Sequence, residues 1–194
     1  MKQLFKLNIR NIVLLAGLVV VLLIAGCLTL DSVDVPTSGV ANQVSTFTIH
    51  CSIKSYGDAD TKLVIGVLVP KSWKTSSNTT LTYSSPKGDG SLSPVPSGTT
   101  EAASGNDWAT ALQNKYGIGE NLLAEMEWVA FQSDKSYTIV NGDNFAFDVT
   151  VNIKLGSDNM MVKLGFFSGT IQNGIQNGIN GEPYYGYYSQ SGST

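Results

Sequence analysis

With 194 residues and 42% hydrophobic side chains, the chain is long enough for one ordinary domain with a real core, which excludes global disorder. The formal net charge is −3 and Arg10 is the sole arginine. Nucleic acid, phosphate and sulfated polysaccharide are therefore poor partners, because guanidinium forks and counterion release hold such ligands.

In chain order, the first feature is a leader. Lys2, Lys6 and Arg10 precede an apolar run from Ile12 to Ala25, the pattern of an export signal. Ile24, Ala25, Gly26 and Cys27 match the bacterial lipobox. There the thiol is the nucleophile that accepts a lipid, and small flanking residues admit the backbone to the signal peptidase. The expectation is a lipoprotein cut before Cys27 and held to a membrane by lipid on that residue. An uncleaved anchor is the alternative, since 17 mostly apolar residues run from Ile12 to Leu28, close to the minimum for a bilayer core of ~30 Å. Leu28 replaces the Asp of the best-known inner-membrane retention signal, so the outer membrane is expected, with the cell surface favoured over the periplasmic face. Without the leader the charges are nine lysines against 15 acids, a net of −6.

Residues 27–44 are expected to form a tether and first strand, the strand lying over 32–35. Period-two alternation then dominates. In 45–54, Phe47, Ile49, Cys51 and Ile53 share one face, opposite Thr46, Thr48, His50 and Ser52. In 61–70, Leu63, Ile65, Val67 and Val69 share a face, while Val64 and Leu68 on the reverse suggest burial on both sides. The segment 55–60 between them has the composition of a hairpin turn. Shorter strands are expected over 81–83, 127–131 and 137–140. Residues 84–105 carry turn and loop chemistry throughout. A short helix follows, with Ser104 and Asp107 reading as a capping box, Trp108 and Leu112 on one face, and Gly117 closing the end. Leu122, Met126 and Val129 have helical spacing, but strand is favoured from Trp128 onward. Phe145, Phe147, Val149, Val151 and Ile153 mark the clearest strand, and another runs over 160–167 after the turn at 156–159.

The expected architecture is mainly β: an immunoglobulin- or fibronectin-like antiparallel β-sandwich over 45–170, with one short helix in an insertion and a signal helix over 1–26. Residues 171–194, rich in Gln, Asn, Gly and Tyr, are expected to be a flexible tail outside the core.

Chemistry is sparse. His50, the only histidine, neighbours Cys51, but adjacent strand residues point to opposite faces and form no dyad. Zinc lacks ligands, and the acidic turns at Asp58 and Asp60 or Asp143 and Asn144 lack the spacing of a calcium loop. Glu125 and Glu127, on one side of a strand, would lie close enough for glycoside hydrolysis, although such acids at i and i+2 are commonplace on an outer face. No catalytic residue, metal or cofactor is assigned, and the chain is not expected to be an enzyme. Sugar binding needs less: flat aromatic faces with amide or carboxylate partners. Its candidates are Trp73, Trp108, Trp128, Tyr184, Tyr185, Tyr187 and Tyr188, though each indole taken singly favours packing.

The lipobox, the opening strand over 33–36, the run 63–70 leading to Trp73, and the run 126–135 together resemble a group of uncharacterised Bacteroidetes surface lipoproteins of SusE type. Asp31, Ser32 and Val33 also resemble the short O-glycosylation site of exported Bacteroidetes proteins. The resemblance covers about residues 27–170. It implies a non-catalytic, glycan-binding accessory to a SusC/SusD-like polysaccharide importer, on the outer membrane. A structural or adhesive module that contacts a protein partner is the other expectation.

Overall fold

The computed structural model describes residues 27–73, 79–95, 99, 101, 104–121, 125–173, 175–176, 179 and 181–192. The leader, with Ile24, Ala25 and Gly26, lies outside them, as does Leu122. Among the described residues no helix is long and apolar enough to cross a membrane.

The protein is mainly β. Its strands are β1 (Cys27–Asp34), β2 (Ser38–Val40), β3 (Val44–Lys54), β4 (Ala59–Pro70), β5 (Thr79–Ser84), β6 (Gly90–Pro94), β7 (Met126–Ser133), β8 (Tyr137–Ile139), β9 (Asn144–Lys154), β10 (Met160–Gln172), β11 (Ile175–Gln176) and β12 (Tyr184–Ser191). A 3₁₀ turn, Lys71–Trp73, follows β4, and one helix, α1 (Trp108–Tyr116), precedes β7. The strands form a single sheet in the order β1-β3-β9-β5-β6-β7-β4-β10-β12-β2, with β8 beside β4 and β11 beside β10. The sheet curls until β3 and β9 face β4 and β10, so it behaves as two packed layers. Phe47 of β3 meets Phe166 of β10 with ring centroids 5.6 Å apart.

Alternation explains the core. β3 buries Phe47, Ile49, Cys51 and Ile53, and β9 buries Phe147, Val149, Val151 and Ile153, as their period-two pattern predicts. β4 is apolar on both faces because the layers cover one side and α1 the other. Gly66 makes that second contact possible: a Cβ there would lie 2.6 Å from Leu112 Cδ1 of the helix. The N-cap of α1 is Asp107, whose carboxylate accepts from Thr110 N at 3.0 Å, and Gly117 closes the C-terminus with φ 62. The cap therefore sits at Asp107, three residues after Ser104, the N-cap that the expected capping box implies.

Four expectations change. Residues 55–58 join β3 to β4, which do not pair; β3 lies between β1 and β9, and β4 between β7 and β10. The link crosses from one layer to the other, and its turn composition is the same as a hairpin's. The turn expected at 156–159 is present, and it too links strands that do not pair, β9 and β10. Within the supposed loop 84–105, residues 90–94 form β6, because Leu92 plugs into the core opposite Leu81. From Tyr184 on, the expected flexible tail is a strand: β12 pairs with β10 over Tyr184–Gln190 and, in parallel, with β2. Its tyrosines suit a pleated surface, and Tyr188 fills the core. Finally, the first strand begins earlier than 32–35, since Cys27 already stands opposite Lys54 in the β1–β3 pairing.

Candidate functional site

The aromatic residues separate by depth. Trp73, Trp108 and Trp128 are 1%, 0% and 4% exposed, and Tyr188 is 0% exposed. Trp73 meets Tyr188 edge-on at 5.8 Å between the layers. Trp108 packs on Phe167 at 6.4 Å beneath α1. The Trp128 indole donates to Gly117 O at 2.8 Å. These four side chains fill the interlayer space and the space under the helix, so none offers a ring face to a ligand. That corrects their place among the glycan-stacking candidates.

The other tyrosines reach the surface, on two sides. Tyr187 is 65% exposed and Tyr185 half-buried on the outer face of β12. Register sets Lys163 of β10 opposite Tyr187, and its ammonium lies 5.5 Å from both the Tyr185 and Tyr187 ring centroids. Glu120 completes the group, 3.1 Å from Lys163 Nζ and accepting from the Tyr187 hydroxyl at 3.5 Å. The Glu120 carboxylate raises the Lys163 pKa above its ordinary value, so Lys163 is charged at neutral pH. Burial raises that of the Tyr185 hydroxyl, which stays protonated. Tyr184 points the other way, into an open groove of about 500 Å³ with Asp34, Pro36, Thr46 and Thr48.

A second groove, of about 520 Å³, opens between α1 and the start of β7. Thr110 and Gln113 of the helix, Ile118, Lys71 and the run Glu125–Trp128 line it. Lys71 clamps Glu125 twice: its backbone N–H donates to Glu125 O at 2.9 Å, and its ammonium lies 2.5 Å from Oε1. The same carboxylate raises the Lys71 pKa. The turn after α1 joins the groove to the tyrosine face, since Ile118 lines the groove while Glu120 binds Lys163 and Tyr187. The third cavity, between Tyr83, Tyr137 and Phe145, offers about 30 Å³, room for about one water and too little for a sugar ring.

His50 and Cys51 do point to opposite faces. His50 lies outward between Asp148, 2.7 Å from Nδ1, and Asp34, 3.2 Å from Nε2; hydrogen bonding to Asp148 first, then Asp34, raises its pKa above 6.5. Cys51 is buried, and desolvation pushes its thiol up to about 12. Among the described residues no group of three His, Cys, Asp or Glu side chains is placed to hold a metal. The acidic turns have other work. Asp58 accepts from Asn141 N at 2.8 Å, and Asp143 accepts from Val140 N at 2.9 Å and pairs with Lys87 at 2.7 Å.

Sequence reasoning did not find Glu120 and Lys163. They are distant in the chain from Tyr187, and only strand register and the turn after α1 assemble the three. Fold and surface together define a mainly β domain that carries one helix and an aromatic, charge-paired surface on the same layer. The chain belongs to the family described as Domain of unknown function (DUF4961), whose profile matches residues 28–192. No curated protein matches it. Among solved structures it is similar to that of AvmM, described as catalysing macrocyclization in alchivemycin A biosynthesis, at 11% identity and a TM-score of 0.41, over 89% of this chain and 90% of that one. It is also similar to a Corynebacterium diphtheriae protein described as membrane anchored, at 11% identity and a TM-score of 0.33. That match covers 81% of this chain and 32% of the other, so the chain spans about a third of that protein.

Proposed function

We propose that this protein is a non-catalytic lipoprotein, anchored in the outer membrane through Cys27, that binds glycan at the surface of a SusE-like, immunoglobulin-like sandwich. In this reading it serves a SusC/SusD-like importer in a Bacteroidetes host. The observation that carries the binding role is the outward pair Tyr185 and Tyr187 around Lys163 and Glu120. Tyrosine rings present apolar faces to the C–H faces of a pyranose, while the ammonium and carboxylate serve its hydroxyls. Catalysis has little support. Lys71 engages Glu125, the one member of the carboxylate pair with a charged partner that close, and His50 is held by two aspartates on the face away from Cys51.

The test is affinity of the full chain, in detergent, for a panel of neutral and acidic polysaccharides. Losing a ring that carries roughly 1.4 kcal/mol of stacking makes binding about tenfold weaker, so Tyr187→Ala should lose about that factor. A second reading, a structural or adhesive module with a protein partner, draws on the burial of all three tryptophans and the exposure of Met161, opposite Ser189 on β12, and of Tyr187. Absence of binding to every polysaccharide, from folded protein, would select it.

A further inference from the structure

The groove between α1 and the start of β7 has a use that the tyrosine face does not account for. Its floor is apolar, formed by Ala109, Ile118 and Met126 with the edge of Trp128, and its rim is polar. On that rim Lys71 and Glu125 neutralise each other. Glu127, half-buried in β7, adds a second carboxylate to the groove lining, near enough to Lys71 to help raise its pKa, with oxygens that accept but do not donate. The Gln113 amide stands on the helix wall with both donor and acceptor capacity, and Thr110 spends its hydroxyl proton on Asp107 and keeps its lone pairs. An apolar floor with hydroxyl-seeking groups at its margin is the complement of a pyranose ring, whose flat faces are C–H and whose edge is O–H.

We propose that this groove binds one ring of an uncharged saccharide chain, whose neighbouring rings cross the turn at 117–120 onto Tyr185 and Tyr187. The proposal rests on the glycan-binding reading above and assigns it a second subsite. The size fits, since about 520 Å³ is within the range of small-molecule sites. Charge selects the class. After the Lys71–Glu125 and Lys163–Glu120 pairs cancel, Glu127 leaves the path net negative, which repels uronates and sulfated sugars.

Placement supports the same role. Cys27 stands opposite Lys54, and the link at 55–58 starts β4 from that end. β4 then runs 12 residues to Pro70, roughly 35–40 Å at ~3.3 Å per residue. Lys71 follows at once, so the groove opens at the end of the domain away from the anchor.

The experiment is isothermal titration of the full chain, in detergent, with a neutral α-glucan, β-glucan, mannan and xylan, a polyuronate, and polylysine. Glu127→Gln and Gln113→Ala are compared with Tyr187→Ala, and the thermal midpoint of each variant is recorded. Gln113 lies on the helix surface, so its variant keeps the test valid if Glu127→Gln does not fold. The expected result is saturable binding of one neutral polysaccharide, weakened about tenfold by each groove substitution with an unchanged midpoint. Groove variants that bind like wild type while Tyr187→Ala loses affinity would overturn this subsite and leave the glycan-binding reading standing. Saturable binding of the polyuronate in preference to the neutral glycans, or binding of polylysine that Glu127→Gln weakens, would overturn the neutral class. Silence with every polysaccharide would end both proposals together.

Discussion

Replacing Tyr188 with alanine should cost this domain a large share of its stability. The ring is fully buried, lies 5.6 Å from Phe47 and 5.8 Å from Trp73, and its hydroxyl donates to the buried Ser45 Oγ at 2.9 Å. Aromatic-to-alanine changes in a core cost about 3–5 kcal/mol, since the cavity adds to the lost transfer energy. The site has little room to collapse, because it lies between β3, β12 and the 3₁₀ turn, so about 4 kcal/mol is expected. That is roughly a quarter to four-fifths of the ~5–15 kcal/mol by which a domain is usually stable. For a chain of this length it corresponds to a fall in Tm of roughly 8–16 °C. Tyr188→Phe keeps the ring and leaves Ser45 without its donor, for about 1 kcal/mol. Urea unfolding followed by tryptophan fluorescence measures both, with Trp73 a reporter against the ring. A loss below ~1 kcal/mol for Tyr188→Ala would refute the claim that the strand after residue 183 is part of the core.

The remaining predictions concern two neighbours in β3. Asp148 and Asp34 raise the His50 pKa above 6.5, so its stabilising contribution is fully present below pH 6.5 and is lost as pH rises through the folded-state value. The gap in urea midpoint between wild type and His50→Gln should therefore be wider at pH 5.5 than at pH 8.5, and an equal gap would contradict the clasp. Cys51 is buried with its thiol pushed up to about 12, so in a Cys27→Ser background a maleimide should label the chain only when it unfolds. Stoichiometric labelling of the folded protein within minutes at pH 7.5 would refute that burial.

The strands were legible where one face is wet and the other dry. Thr46 to Ile53 and Phe145 to Ile153 alternate because each strand has a solvent side, and both segments are strands in the structure. Val64 and Leu68 announced burial on the second face of β4, though what covers it, Leu112 and its helix, was not readable there. Glycine and aspartate at 55–60 and 156–159 marked the breaks correctly. They said nothing of direction, because a link between layers and a hairpin call for the same turn residues.

The aromatic residues show the same boundary from the side of function. Seven were candidates for stacking on sugar, and composition could not sort them, since a tryptophan that fills a core and one that holds a sugar are the same residue. By itself the sequence determined what is local: period-two strands, the C-terminal end of α1 at Gly117, the opposite faces of His50 and Cys51, and a surface without arginine beyond the leader. Tertiary structure alone decided which strands pair, that Tyr188 is core while Tyr187 is surface, and that Lys163, Glu120 and Tyr187 meet. Those outcomes depend on register and on the curl of one sheet over itself, which arise from contacts between segments far apart in the chain and leave no trace within any one of them.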